Sequence, residues 1–308
     1  MNRRSTEWVS LASLVVGAVC IGFAPLWVRW SETGPVATAF HRLFLALPAL
    51  AFWAIRERPG RQHPWSRTDK LWVLAAGILF ALDLAAWHLS IRFTSVANAT
   101  LLANFAPIFV TLGAWLFLDE RPGSRFVGGM GLGLVGAWLL TGARFGAPTS
   151  HPKGDLLGLI TAAFYGGYQL CVARLRRRHP PGQILFFGSL ACIPLLGLMA
   201  LALGEPILPS TSRGWGILLG LALTAQVLGQ GFITHGFAHL PAGYSSLTLL
   251  VQPFVAAAAA WALLGEATNG LQMLGGLLLI SGIVLARQTP AANPAPTGNS
   301  VGAPPDRR

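Results

Sequence analysis

Ten separate stretches of this chain are apolar over the length a helix needs to cross a hydrocarbon core, and nothing else in it constrains the fold as much. They cover about residues 8–28, 35–55, 71–91, 95–118, 124–142, 155–173, 183–203, 213–235, 241–264 and 269–287. Only 11% of the 308 residues are charged, against about 25% in soluble domains. At 53% hydrophobic, the bulk of the chain is excluded from the disordered class. The expectation is an all-α integral membrane protein with ten transmembrane helices. The first run lacks a small-x-small cleavage pattern followed by a polar start, so it reads as a helix rather than a leader. After Arg287 the Pro-, Gly- and Ala-rich residues 289–308 predict a disordered C-terminal tail.

The formal charge of +11 does not mark a nucleic-acid partner. The 11 Trp and 17 Phe sit in apolar runs, and the basic residues gather in loops. With the N-terminus in the cytoplasm, sixteen of the 22 Lys and Arg fall on that side. Five (Arg29, Arg92, Arg144, Lys153 and Arg213) fall on the other, and Arg42 lies within a span. The bias follows the positive-inside rule, with RLRRR at 174–178 the strongest anchor. An even span count then places both termini in the cytoplasm of a multi-pass protein of the plasma (inner) membrane.

The chain also aligns on itself, without a gap, at an offset of 146 residues. Pro35 meets Pro181, Pro48 meets Pro194, Pro107 meets Pro253, Trp115 meets Trp261, and Glu120 meets Glu266. Coincidences of Pro, Trp and Glu at one offset point to duplication. Each copy holds five spans, so the second enters the membrane from the opposite side. The expected units are a first repeat at 1–145 and an inverted second repeat at 154–288. Secondary transporters use this design, with the substrate site between the repeats near the midplane.

Two stretches carry a resemblance to a known family. SVANATLLANFAPIFVTLGAWLFLDER at 95–121 precedes GGMGLGLVGAWLL at 128–140, and PAGYSSLTLLVQPFVAAAAAWALLGE at 241–266 precedes LGGLLLISGIVLA at 274–286. A mid-helix Pro, a terminal Glu and a Gly-rich following helix resemble the repeat of EamA-type members of the drug/metabolite transporter superfamily. Arg42 in FHRLFLALPAL matches that family's second-helix arginine. The resemblance implies ten helices, a central cavity between the halves, and export or exchange of small metabolites or drugs across the lipid bilayer by alternating access.

Arg42 and Asp83 are the most informative polar residues. A charge at membrane depth costs at least about 2.5 kcal/mol, so it faces a partner or a cavity. From its helix boundary each lies roughly 10–12 Å below the outer surface at about 1.5 Å per residue. Two roles fit: a buried Arg42–Asp83 ion pair that locks two helices, or a cavity charge that meets substrate or a coupling proton. Asp83 shares a stripe with Phe80 and Trp87, suited to a cationic or amphipathic solute. Asn104, Gln252, Gln226, Gln230, Tyr165 and Gln169 form further polar stripes, which point inward because amides are costly against lipid. They fit either interhelical hydrogen bonds or a cavity lining. Pro107 and Pro253 each remove a backbone hydrogen bond and kink their helices. Glu120 and Glu266 are expected to cap the helix that follows each of them.

No HExxH, GxSxG, phosphate-loop lysine or metal-spaced Cys/His set occurs, so neither catalytic residues, nor a cofactor, nor a metal is expected. Cys20, Cys171 and Cys192 all fall in apolar runs. The rivals are a lipid-modifying membrane enzyme, which would need clustered interfacial acids or histidines, and a 5+5 ion-coupled symporter of another carrier fold. The latter would need broken helices at a polar cation site, whereas the fourth and ninth runs are apolar beyond their prolines.

Overall fold

The computed structural model describes residues 3–57, 64–91, 93–94, 96–142, 151–264 and 269–287. Glu266 and the tail at 289–308 lie outside these residues. The described residues form helices and turns only: α1 (Arg3–Gly22), α2 (Ala24–Trp30), α3 (Pro35–Phe44), α4 (Leu47–Arg56), α5 (Arg67–Ile91), α6 (Val96–Ala103), α7 (Ala106–Leu118), α8 (Ser124–Thr141), α9 (Pro152–Arg176), α10 (Pro181–Ala202), α11 (Ser212–Leu221), a π-helical stretch (Ala222–Gln230), α12 (Gly231–Gly236), α13 (Ala242–Thr248), α14 (Val251–Leu264) and α15 (Gly270–Ala286).

Several expected spans are therefore broken helices, and proline is the cause. Pro25, Pro48 and Pro107 sit in the first turns of α2, α4 and α7. There the missing N–H costs nothing, whereas inside a continuous helix it would leave a carbonyl unpaired. Tight turns carry the chain across the breaks. Asn104 N–H is shared between the carbonyls of Thr100 and Leu101, at 3.1 and 3.0 Å, and Leu250 N–H reaches Leu247 O at 3.0 Å. Pro107 lies in the first turn of α7, and Pro253 is the third residue of α14.

Among the described residues, eight helical runs are long and apolar enough to cross a membrane. This makes the protein an all-helical integral membrane protein. Of the ten runs read from the sequence, α8 and α15 are the shortest, at 18 and 17 residues. They pack along each other through glycine. A Cβ on Gly136 would lie 2.7 Å from Gly275 O, and one on Gly129 would fall on Gly282 O and Ala286 N. Backbone against backbone leaves no atom that could give way, so these positions need glycine. Gly220 is filled by the Trp27 ring, while Gly216 faces open space and makes no such approach.

Side-chain contacts gather the helix ends into two sets. At one end, Glu57 after α4 accepts from Gly182 and Gln183 N–H at the start of α10, at 2.8 and 3.1 Å. Asp69 in α5 pairs with His179 at 3.2 Å, and Arg125 in α8 donates to Leu285 O at 3.1 Å. Arg287 lies 3.9 Å above the Trp8 ring. This end carries Arg56, Arg67, Arg121 and Arg174 to Arg178, and is called the basic end below. At the opposite end, Glu205 accepts from Ala37 N–H at 2.9 Å, and Asp155 accepts from the Thr94 hydroxyl at 2.8 Å. Glu32 there accepts from the Thr211 hydroxyl and from Ser210 N–H. These bonds hold the Glu32 carboxyl below the usual glutamate range.

Glu120 corrects one expectation. It does not cap α8, the helix that follows it. Its carboxylate crosses the molecule to accept Ala242 N–H of α13 at 2.7 Å and the Arg177 guanidinium at 3.4 Å. Burial pushes this carboxyl up, against the pull of the Ala242 N–H and the Arg177 charge.

Candidate functional site

A cavity of about 200 Å³ sits on the side of the bundle away from the basic end. Its walls come from the C-terminal part of α5 (Asp83, Trp87), from α6 and its following turn (Thr100, Asn104), and from the N-terminal part of α9 (Thr161, Tyr165). The α1–α2 break, α3, the end of the π-helical stretch and the start of α14 complete it. The two proline breaks border it directly. Asn104 stands three residues before Pro107 and Gln252 one before Pro253, and both line the cavity. Asn104 Nδ2 is a buried donor with no hydrogen-bond partner, and the Gln252 amide stands against the Tyr165 hydroxyl. Amide donors at the wall of an apolar cavity can bind a polar group on a solute.

Arg42 and Asp83 both face this cavity and both are buried. The expected direct ion pair between them does not form. Arg42 Nε instead donates to Gln226 Oε1 at 3.1 Å, and its Nη2 to Ala225 O at 3.4 Å. Its guanidinium stands 5.7 Å from the Phe80 ring. The π-helical stretch explains these partners. An i→i+5 ladder bulges the helix and turns groups outward that an α-helix would keep in register. Here it places the Ala225 carbonyl and the Gln226 side chain where a guanidinium reaches both. With Arg42 held from behind, the Asp83 carboxylate is available to the cavity.

Aromatic rings form the floor. Phe80 stacks on Tyr168 at 4.6 Å between centroids, and Tyr168 stacks on Tyr165 at 6.0 Å. Tyr168 OH donates to Gln230 Oε1 at 3.4 Å. One wall thus offers a cation and a carboxylate, another aromatic faces, and the break points offer amides.

Of the residues singled out in the sequence, Arg42, Asp83, Trp87, Asn104, Tyr165, Gln230, Gln252 and Pro253 line the cavity. Gln226 stands behind Arg42 as its acceptor. Gln169 is buried below the floor, and Pro107 sits behind its break without joining the lining. Sequence reasoning missed Thr38, Thr161 and the bend at Gly22–Pro25. Thr161 was within reach, being four residues before Tyr165 on the same helical face. Thr38 bonds to Thr33 at 2.8 Å and to Ser31 at 2.9 Å near the opposite end. His41 is a packing residue: its Nδ1 bonds Ala37 O at 2.9 Å and its ring meets Trp215 edge to face. The side chain of His88 lies outside the described residues.

The model of the EamA-like transporter family matches residues 8–142 and 152–288. Similar proteins include the pseudopaline exporter CntI of Pseudomonas aeruginosa, 28% identical over 73% of this chain and 77% of that protein. The riboflavin transporter of Rhizobium johnstonii is 29% identical over 71% of this chain and 68% of its own length. The probable terminal-alkyne amino-acid exporter of Streptantibioticus cattleyicolor is 26% identical over 92% of this chain and 94% of its own length. A solved crystal structure shares the fold with a TM-score of 0.71 at 19% identity, covering 92% of this chain and 97% of that one. The chain belongs to the EamA-like transporter family, within the drug/metabolite transporter superfamily, and is a membrane transporter rather than an enzyme.

Proposed function

We propose that this protein is a secondary carrier, an exporter or exchanger of small organic solutes, that works by alternating access. Two inverted five-helix halves, residues 1–145 and 154–288, supply ten membrane crossings and rock about the cavity between them. The basic end faces the cytoplasm of the plasma (inner) membrane, with both termini there. The position of the cavity carries this reading. Its walls come mainly from the parts of the helices away from the basic end, with Gln230 reaching further toward it, while α7 and α13 pack together at that end under Glu120. A cavity closed on one side and bounded by broken helices is one half of an alternating cycle.

The chemistry of the walls supports an amphoteric solute with an apolar or aromatic part. Asp83 receives a cationic group, Arg42 and the amide donors of Asn104 and Gln252 receive an anionic or carbonyl group, and Trp87, Phe80 and Tyr165 receive the apolar part. Relatives named for an amino-acid derivative and for riboflavin carry solutes compatible with such walls. Asp83 is also the group through which a proton would couple to transport.

Purified protein in proteoliposomes tests the reading. Vesicles loaded with mixed amino acids, aromatic amines and riboflavin are assayed for release, with and without a pH gradient. The reading requires at least one solute to be released faster than from empty vesicles, and Asp83→Asn to abolish that difference. If a folded protein moves none of these classes under either condition, the amphoteric-solute reading falls.

A further inference from the structure

We propose that the solute path continues below the cavity floor along a buried polar seam, Gln169, Thr234, Ser245 and Ser246, which opens to the basic end when the Glu120 contacts release. The inference rests on the alternating-access reading above and names the residues of the half-path that this structure holds shut.

The placement follows from helical register. On α9, Thr161 and Tyr165 line the cavity and Gln169 comes one turn further toward the basic end. Gln230 lines the cavity, and Thr234 follows four residues later on α12. Gln252 lines the cavity, and Ser245 and Ser246 lie on α13 between it and Ala242, whose N–H Glu120 holds. α9 packs against both α12 and α13, so the three polar lines leave the floor side by side.

Their burial is what needs explaining. Gln169 is 2% exposed, Thr234 and Ser245 0%, and Ser246 1%. Both amide atoms of Gln169 and the hydroxyls of Ser245 and Ser246 close no hydrogen bond, and the Thr234 hydroxyl has only the Tyr168 ring hydroxyl beside it. Natural interiors leave few such groups. An interface that stayed closed would be better filled by apolar side chains. Unpaired polar side chains are understandable where a second state hydrates them or sets them against a polar solute. The seam ends at bonds that water can replace: Glu120 on Ala242 N–H, Arg177 on Glu120, and Arg176 Nε on Thr234 O at 2.9 Å.

Cysteine accessibility tests the proposal without any solute. Cys20, Cys171 and Cys192 are replaced by Ala, and single cysteines are placed at Ser245 and Thr234 in the full chain, reconstituted in proteoliposomes. Leu279→Cys, equally buried between α8 and α15, serves as the reference. A membrane-impermeant charged maleimide is presented to the basic end. The seam cysteines should react faster than Leu279→Cys. Glu120→Gln should speed their reaction about tenfold, the population change that losing one charge-assisted hydrogen bond brings. Arg177→Gln provides the same test if Glu120→Gln does not fold, and Gln169→Leu should slow the reaction. Seam cysteines as inert as Leu279→Cys in every background, or reactive only from the opposite face, would overturn the proposal. A protein that transports while the seam stays inert refutes this inference alone. A reactive seam in a protein that moves no solute refutes the transport reading instead.

Discussion

The bond between Arg42 and Gln226 gives a sharp energetic test, because the sequence suggested another partner for Arg42. The guanidinium is buried, with a good acceptor at 3.1 Å in Gln226 and a long one at 3.4 Å in Ala225. A hydrogen bond from a charged donor contributes about 1.5–3 kcal/mol, and most of it belongs to the shorter contact. Arg42→Met removes the donor and leaves Gln226 Oε1 buried and unpaired. Gln226→Leu removes the acceptor and leaves a buried cation with one weak bond. Each single change should cost roughly 2–3 kcal/mol of stability. In the double variant neither orphan remains, so its loss should fall short of the sum by about 1.5–3 kcal/mol. The assay is reversible denaturant unfolding in bicelles for all four proteins. Losses that add to within about 0.5 kcal/mol would show that the residues do not interact, and the role given to the π-helical stretch would fail with them.

Three further outcomes follow from the structure. Gly136→Ala puts a methyl onto the α15 backbone and should lower stability by about 1–3 kcal/mol, whereas Gly128→Ala, which faces open space, should be neutral or gain up to about 1 kcal/mol; thermal unfolding in detergent compares them. Asp83→Asn loses no hydrogen bond, so folded yield should hold while solute release falls about tenfold or more, as expected for losing one charged contact; equal release would remove Asp83 from the path. The Glu32 carboxyl is held low, so its stabilising contribution is present above the ordinary glutamate value of 4.5 and is lost as pH falls through the lower folded value; a scan of Tm against acidic pH should fall less steeply in Glu32→Gln.

Local covalent effects were legible in the sequence, and long-range ones were not. Pro107 and Pro253 break their helices because a missing N–H acts within one turn, whatever surrounds it. Arg42 and Asp83 stood out as charges inside apolar runs, and both line the cavity. Helical spacing reports which face a residue shares but not how far the cavity extends along that face. Gln169 therefore stood beside Tyr165 in the sequence reading yet lies beneath the floor. The partner of Arg42 depended on a π-helical register in a stretch, ALTAQVLGQ, whose composition gives no sign of it. Glu120 was read against its own neighbouring helix, but its acceptor role is to Ala242, 122 residues away. Only the packing of α7 on α13 brings the two together.

Alternating access requires the basic end to open while the opposite end closes, and a distance across the basic end reports that motion. Arg121 follows α7 and His239 precedes α13; both are exposed. Spin labels on cysteines at these two positions, in the cysteine-free protein in lipid, report that distance by pulsed electron resonance. Two populations are expected, a short one with Glu120 engaged and a longer one that grows in Glu120→Gln and when a transported solute is added. A single short distance, unchanged by the substitution or by any solute that the protein is shown to move, would contradict it.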